Sequence, residues 1–231
     1  MNMNILGLLF VVIFITQTSL SVAFYEYFLM VQQWSVTVCI DGGCQKPTFV
    51  SNQFTIHGLW PTNVSKPYPE FCKGRPPGSG KFSFPLISHL SAQLQTEWPD
   101  VVNKNNLKFW SGQWDKHGTC SLNKFTQDDY FQQALTIKGM INLIDVLKKA
   151  GVVPHKTKDY KIDDIVTAIK AHNGNNDIAL VCTKSTNGNP IPYLKEIRLC
   201  LYPNGSTHTP CPPPLRSRDC ANRNNRVILP I

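Results

Sequence analysis

Charge is scarce in this chain of 231 residues. Asp, Glu, Lys and Arg together make up 16% of it, and the acids are the scarcer, 15 against 23 Lys and Arg. Beside 42% hydrophobic residues, so little charge excludes an intrinsically disordered chain. The shortage of acid leaves a net charge of +8 and a pI of about 9.1, which favours an anionic partner over a cationic one. No Cys-x-x-Cys pair occurs among the eight cysteines, and His117-x-x-Cys120 stands alone, so the spacing holds no zinc site. The 14 Gly and 17 Pro follow no period, which excludes collagen. No internal repeat and no dividing linker occur, and at roughly 150 residues per domain one domain is expected. A membrane-spanning helix needs about 20 apolar residues. The longest apolar run, Ile5 to Ile15, is broken too early by Thr16, Gln17, Thr18 and Ser19.

That run has another use. Met1 to Ala23 carries no charged side chain, and Ser21-Val22-Ala23 supplies the small residues that signal peptidase requires. The expected mature chain is Phe24 to Ile231, 231 − 23 = 208 residues, secreted to the extracellular space with its +8 intact. In an oxidising compartment Cys39, Cys44, Cys72, Cys120, Cys182, Cys200, Cys211 and Cys220 are read as four disulfides, although spacing alone leaves 105 pairings. Asn63-Val64-Ser65 and Asn204-Gly205-Ser206 are glycosylation sequons, expected on surface loops.

Tyr27 to Trp34 and Phe54-Thr55-Ile56 read as strands. Pro61 to Gly80 is rich in Pro, Gly, Ser and Lys and reads as an exposed loop. Leu86, Ile87, Leu90 and Leu94 recur at helical spacing, as do Tyr130, Phe131, Ala134, Leu135 and Ile137. A third helix is expected around Ile141, Ile144, Val146 and Leu147, stopped near Gly151, and a fourth around Ile162, Ile165, Val166 and Ile169. Ile178 to Cys182 and Tyr193 to Tyr202 read as strands, and the tail from Pro203 as a coil pinned by cysteines. Helices and strands come in clusters and not in alternation, which predicts an α+β fold.

Two segments carry chemistry. The first is Phe54-Thr55-Ile56-His57-Gly58-Leu59-Trp60-Pro61; the second runs from Phe109 to Cys120 and contains Gln113, Lys116 and His117. On a helix with Phe109 at 0°, Gln113 falls at about 40°, Lys116 at about −20° and His117 at about 80°. Trp110 and Trp114 turn away toward a core. A face with Lys beside His and Gln makes little sense as packing and good sense against an anion. His57, at the end of a strand, is expected to project toward it. Two imidazoles, an ammonium and an amide suit cleavage of an RNA phosphodiester. One imidazole takes the ribose 2′-OH proton, the other protonates the leaving 5′-oxygen, and the cation stabilises the growing phosphoryl charge. Histidine, with an ordinary pKa near 6.5, serves both tasks. The nucleophile belongs to the substrate, so no metal or cofactor is required and DNA is spared. His89, His155, His172 and His208 lack such a setting and read as structural or solvated.

His57-Gly58-Leu59-Trp60-Pro61 and Trp114-Asp115-Lys116-His117-Gly118-Thr119-Cys120 resemble the two active-site signatures of the T2-type ribonucleases, in the right order and about 60 residues apart. Gln32-Gln33-Trp34 and Ile87 to Asn103 are similar to further parts of plant members. The resemblance implies that an antiparallel sheet packs on several helices. It implies disulfides Cys39–Cys44, Cys72–Cys120, Cys182–Cys220 and Cys200–Cys211. It also implies His57 as general acid, His117 as general base and Lys116 as the residue that stabilises the phosphorane, with a 2′,3′-cyclic phosphate as the intermediate product. Gln113 stands where many members carry Glu, and Gly112 where many carry a further His, so reduced or altered activity is expected. Gln33, Val101, Val102 and Phe109 fall at positions that line a base site in plant relatives, and Trp60 offers a flat face for stacking.

Within that family the chain resembles both the S-type ribonucleases of self-incompatibility and the S-like plant ribonucleases; its basic pI resembles the S type, whose implied partner is a pollen-side recognition protein. An S-like enzyme of phosphate scavenging or defence is the alternative. A monomer acting on RNA is expected, with no membrane or DNA partner. A non-catalytic storage or binding protein would not need the histidine pair. A basic, disulfide-rich lectin or defence protein would leave Lys116-His117 opposite His57 unexplained. A nucleic-acid-binding module should gather its basic residues into a stripe, whereas here they are dispersed.

Overall fold

The computed structural model describes residues 25–42, 44, 52–65, 68–72, 80–183, 190–213, 220 and 225–231. The expected signal peptide, and residues 66–67 and 73–79 of the expected Pro61–Gly80 loop, lie outside the described residues. In chain order the elements are β1 (Tyr27–Trp34), α1 (Ser35–Gly42), β2 (Phe54–Thr62), a 3₁₀ turn (Phe84–Leu90), α2 (Ser91–Glu97), α3 (Asn106–Lys116), a 3₁₀ turn (Gly118–Ser121), α4 (Gln127–Met140), α5 (Leu143–Lys149), β3 (Asp159–Lys161), α6 (Ile162–Lys170), β4 (Ala179–Thr183), β5 (Tyr193–Leu201), β6 (His208–Thr209) and β7 (Arg226–Ile228).

The sheet runs β2-β1-β5-β7-β3, with β4 and β6 also on β5. Pairing is antiparallel except between β5 and β7. The fold is α+β, as expected. All eight residues of β1 are buried, so this strand is covered on both faces. The main core gathers Phe28, Met30 and Trp34 of β1 with Trp98, Trp110, Trp114, Tyr130 and Phe131 of the helical part. A smaller cluster, Tyr27, Leu29, Val31, Cys200 and Cys211, packs against Trp60. Four of the buried aromatic polar ends are bonded to backbone carbonyls. Trp34 Nε1 donates to the Pro230 carbonyl, Trp110 Nε1 to Trp98, Trp114 Nε1 to Gly80 and Tyr130 Oη to Leu59. Such bonds remove the cost of a dry, unpaired polar atom and fix ring orientation.

The four disulfides are Cys39–Cys44, Cys72–Cys120, Cys182–Cys220 and Cys200–Cys211, the pairing that the resemblance implied. Several elements differ from the sequence reading. Phe84–Leu90 is 3₁₀, not α-helical. At three residues per turn Ile87 and Leu90 share the buried side while Leu86 swings out and is exposed. The strand begun at Phe54 continues through His57 to Thr62, so Pro61 and Thr62 are buried strand residues and not loop. Helix α1 and strand β3 carried no periodic signal. In the tail, β6 and β7 are two and three residues long and owe their form to the strands they pair with.

Candidate active site

His57 is the extra residue of a β-bulge. Val31 of β1 faces Gly58 and Gln32 faces Ile56, so His57 has no partner of its own in the ladder. A bulge tips the strand and re-aims its side chain. The freed His57 carbonyl accepts the indole N–H of Trp98 at 3.0 Å. Phe109 of α3 lies nearly parallel to the imidazole, centroids 6.2 Å apart. On the ring itself, Nδ1 stands 2.7 Å from Oε1 of Glu196 on β5.

Helix α3 brings the second set. Asn105 caps it by accepting the Lys108 N–H, and Trp110 and Trp114 face the core. His117 is the residue after the last turn, its N–H still bonded to the Gln113 carbonyl. The Cys72–Cys120 bridge and a bond from the Phe71 N–H to the Lys116 carbonyl tie this end down. Trp60 stands between the two histidines. Its ring stacks on His117 at 5.0 Å and 22°, meets His57 edge-on at 5.1 Å, and donates Nε1–H to Gln113 Oε1 at 3.0 Å. The Arg198 guanidinium lies 5.5 Å from the same ring. Together His57, Trp60, Gln113, Lys116, His117 and Arg198 line a cleft of about 260 Å³.

Burial sets the electrostatics. His117 is only 6% exposed, and burial first, then the charges of Lys116 and His57, push its pKa down to about 3. It is therefore a neutral imidazole, competent to accept a proton. Glu196 is buried too, which by itself would raise its pKa. The hydrogen bond from His57 and the charges of His57 and Arg198 outweigh burial and bring the carboxyl down to about 2. An ionised carboxylate only accepts, so His57 Nδ1 carries the hydrogen in that bond. Lys116 Nζ, near the cleft mouth, is 3.2 Å from Glu70 Oε1 in a half-exposed pair of the kind that contributes little to stability.

This arrangement can be set beside known proteins. Residues 25–211 match the model of the ribonuclease T2 family. The chain belongs to that family. It is 35% identical to ribonuclease MC of Momordica charantia over 191 residues, 81% of this chain and 94% of that one. It is 32% identical to the extracellular ribonuclease LE of Solanum lycopersicum, covering 81% of each. Among solved structures, the self-incompatibility-associated SF11-RNase of Nicotiana alata superposes with a TM-score of 0.73 at 28% identity, covering 90% of this chain and 100% of that one. The protein is a T2-type endoribonuclease, and RNA is its substrate.

Of the residues singled out in the sequence, His57, Trp60, Gln113, Lys116 and His117 come together in this T2 cleft, while Gln33, Val101, Val102 and Phe109 are not part of its lining. Gln33 and Val101 are nearly fully buried; Val102 and Phe109 keep some surface. Gly112 sits on the open side of α3, where a Cβ would meet nothing within 4 Å beyond the adjoining helix backbone among the described residues. His89 pairs with Asp128, His155 accepts two backbone N–H groups, and neither they nor His172 and His208 line the cleft. The sequence reading missed Glu196, Arg198 and Glu70. A signal existed for the first two: Glu-x-Arg places both on one face of a strand whose other residues, Lys195 apart, are Tyr, Leu, Ile and Cys.

Two consequences can be measured. The unfolded chain protonates His117 below about pH 6.5, the folded chain only near 3, so folding stability rises with pH across that window. Urea unfolding should show this histidine removing about 3 kcal/mol between pH 7 and pH 4. In His117→Gln that part of the slope should vanish; equal slopes would contradict it. The second consequence concerns Gln113, which cannot supply the charge that a carboxylate would. In Gln113→Glu the acidic limb of kcat/KM should move to higher pH, because a negative group one indole away favours imidazolium at His117. An unmoved limb would show that residue 113 does not sense the base.

Proposed function

We propose that the protein cleaves single-stranded RNA by two-histidine acid–base catalysis. His117 takes the proton of the ribose 2′-OH. The 2′-oxygen forms a bond to phosphorus, the bond to the 5′-oxygen breaks, and His57 gives that oxygen its proton, leaving a 2′,3′-cyclic phosphate. Lys116 stabilises the phosphoryl oxygens, and Gln113 holds Trp60 against both rings. Each proton transfer is worth roughly 10²- to 10⁴-fold. The observation that carries this reading is the pair of imidazoles flanking one indole, one of them buried and kept neutral. Neither the nucleophile nor the proton carriers call for a metal. For base contact we assign Trp60 and, outside the cleft lining, Val102 and Phe109; the buried Gln33 and Val101 would act through packing. Rates on single-stranded RNA from about pH 2 to 9, with and without EDTA, test the reading. A bell-shaped profile untouched by EDTA is expected; loss of activity in EDTA would contradict it.

Met1 to Ala23 is proposed to be a cleaved signal peptide, which makes the enzyme extracellular and a single domain from Phe24 onward. Asn204 is exposed in the turn after β5 and suits a glycan. Asn63 is half-buried, its Oδ1 accepting the Glu26 N–H, and suits one less. N-terminal sequencing and mass of the secreted protein decide both points. The basic pI and the likeness to the Nicotiana alata enzyme support the self-incompatibility role, with a pollen-side protein as partner and a monomer as the working unit. Confinement of the protein to the style is the expected result; induction by phosphate starvation elsewhere would favour the S-like role.

A further inference from the structure

We propose that Glu196, braced by Arg198, is the positioning residue of the acid, orienting His57 so that its Nε2 serves the leaving oxygen. The inference rests on the two-histidine reading. His57 on β2 and Glu196 on β5 flank β1, and the bulge tips the imidazole far enough for Nδ1 to meet Oε1 at 2.7 Å. The second oxygen of the carboxylate is taken by Arg198, whose Nε and Nη2 lie 2.9 and 2.6 Å from Oε2. The Glu196 side chain is 4% exposed.

A carboxylate buried in an apolar strand costs several kcal/mol unless it is paired. Pairing with Arg198 alone would answer that need with both oxygens in a fork, as guanidinium and carboxylate prefer. Here both Arg198 nitrogens crowd onto one oxygen, and the other is spent on the imidazole. The Arg198 guanidinium also rests near the Trp60 ring, so one brace holds the acid and the indole beside it. A proton-transfer histidine oriented by a carboxylate on its far nitrogen is the arrangement that sets ring angle and tautomer. The other charged or titratable groups lining the cleft are Lys116 and His117 at the end of α3, Tyr68, and Glu70, which is paired with Lys116. The group bonded to His57 Nδ1 is Glu196.

The test separates the acid step from everything else by the leaving group. A dinucleoside phosphate expels an alkoxide, which needs protonation. A nucleoside 3′-(nitrophenyl phosphate) expels a phenolate, which does not. In Glu196→Gln, kcat on the dinucleotide should fall about 10- to 100-fold with KM little changed. The alkaline limb of kcat/KM should move to lower pH, and the nitrophenyl ester should be cleaved at close to the original rate. Equal losses on the two substrates, or full kcat with an unmoved limb, would overturn the proposal. Should Glu196→Gln fail to fold, Arg198→Met takes its place: the same selectivity with a smaller loss is expected, and an unselective loss or none overturns it. His57→Ala is the control for the underlying reading. If it loses the nitrophenyl ester as fully as the dinucleotide, His57 is not the acid; if it spares the ester and the Glu196 variant does not, only the positioning role fails.

Discussion

His57→Ala and His117→Ala should each lose at least about 100-fold in kcat/KM on RNA, since each removes a proton transfer worth roughly 10²- to 10⁴-fold. Both should stay folded. His57 sits at a bulge, where the ladder loses no bond when the side chain is cut, and His117 is a buried neutral ring whose Nδ1 has no hydrogen-bond partner among the described residues. Truncating His117 leaves a cavity beside Trp60, so some stability is lost there. The rates and the circular dichroism of each purified variant check this. More than about a tenth of the original activity in a folded variant would remove that residue from the mechanism.

Gly58→Ala is the second large effect expected, and it involves no titrating group. A Cβ at this position would stand 2.1 Å from Trp60 Nε1 and 2.3 Å from Gln113 Oε1. These are the two atoms of the bond that holds the indole between the histidines. Overpacking of this kind costs typically 1–3 kcal/mol. The indole has little room to yield, with His117 stacked on it and His57 against its edge. Both imidazoles should be displaced, and a misplacement of about 1 Å costs on the order of 100-fold in rate. Activity should therefore fall about as far as in the histidine variants, with a modest drop in the unfolding midpoint. A folded Gly58→Ala protein at full activity would show that Trp60 does not set the geometry of the pair.

The extent to which the chain could be read beforehand varied with the physics involved. Strand β1 was legible to the residue because its pattern is local: five apolar or aromatic residues, then Gln32 and Gln33, closed by Trp34. Helix α4 was legible because Tyr130, Phe131, Ala134, Leu135 and Ile137 repeat on one buried face. The face of α3 emerged from helical angles alone, which bring Gln113, Lys116 and His117 to one side. What the sequence hid depends on partners far along the chain. The bulge that makes His57 the odd residue is a matter of register against β1. The carboxylate on its Nδ1 is 139 residues away. A strand of two residues such as β6 has no pattern of its own to display. Likewise the depth at which His117 is buried follows from Trp60, which no spacing announces.

Cleavage of a dinucleoside phosphate and of its 2′-deoxy analogue, followed by phosphorus NMR in the presence of EDTA, tests the central claim most directly. The ribose substrate should pass through a 2′,3′-cyclic phosphate, and the deoxy analogue should remain intact, since the only nucleophile in the proposed reaction is the substrate's own 2′-oxygen. Cleavage of the deoxy analogue, or a ribose product formed without the cyclic signal, would contradict it.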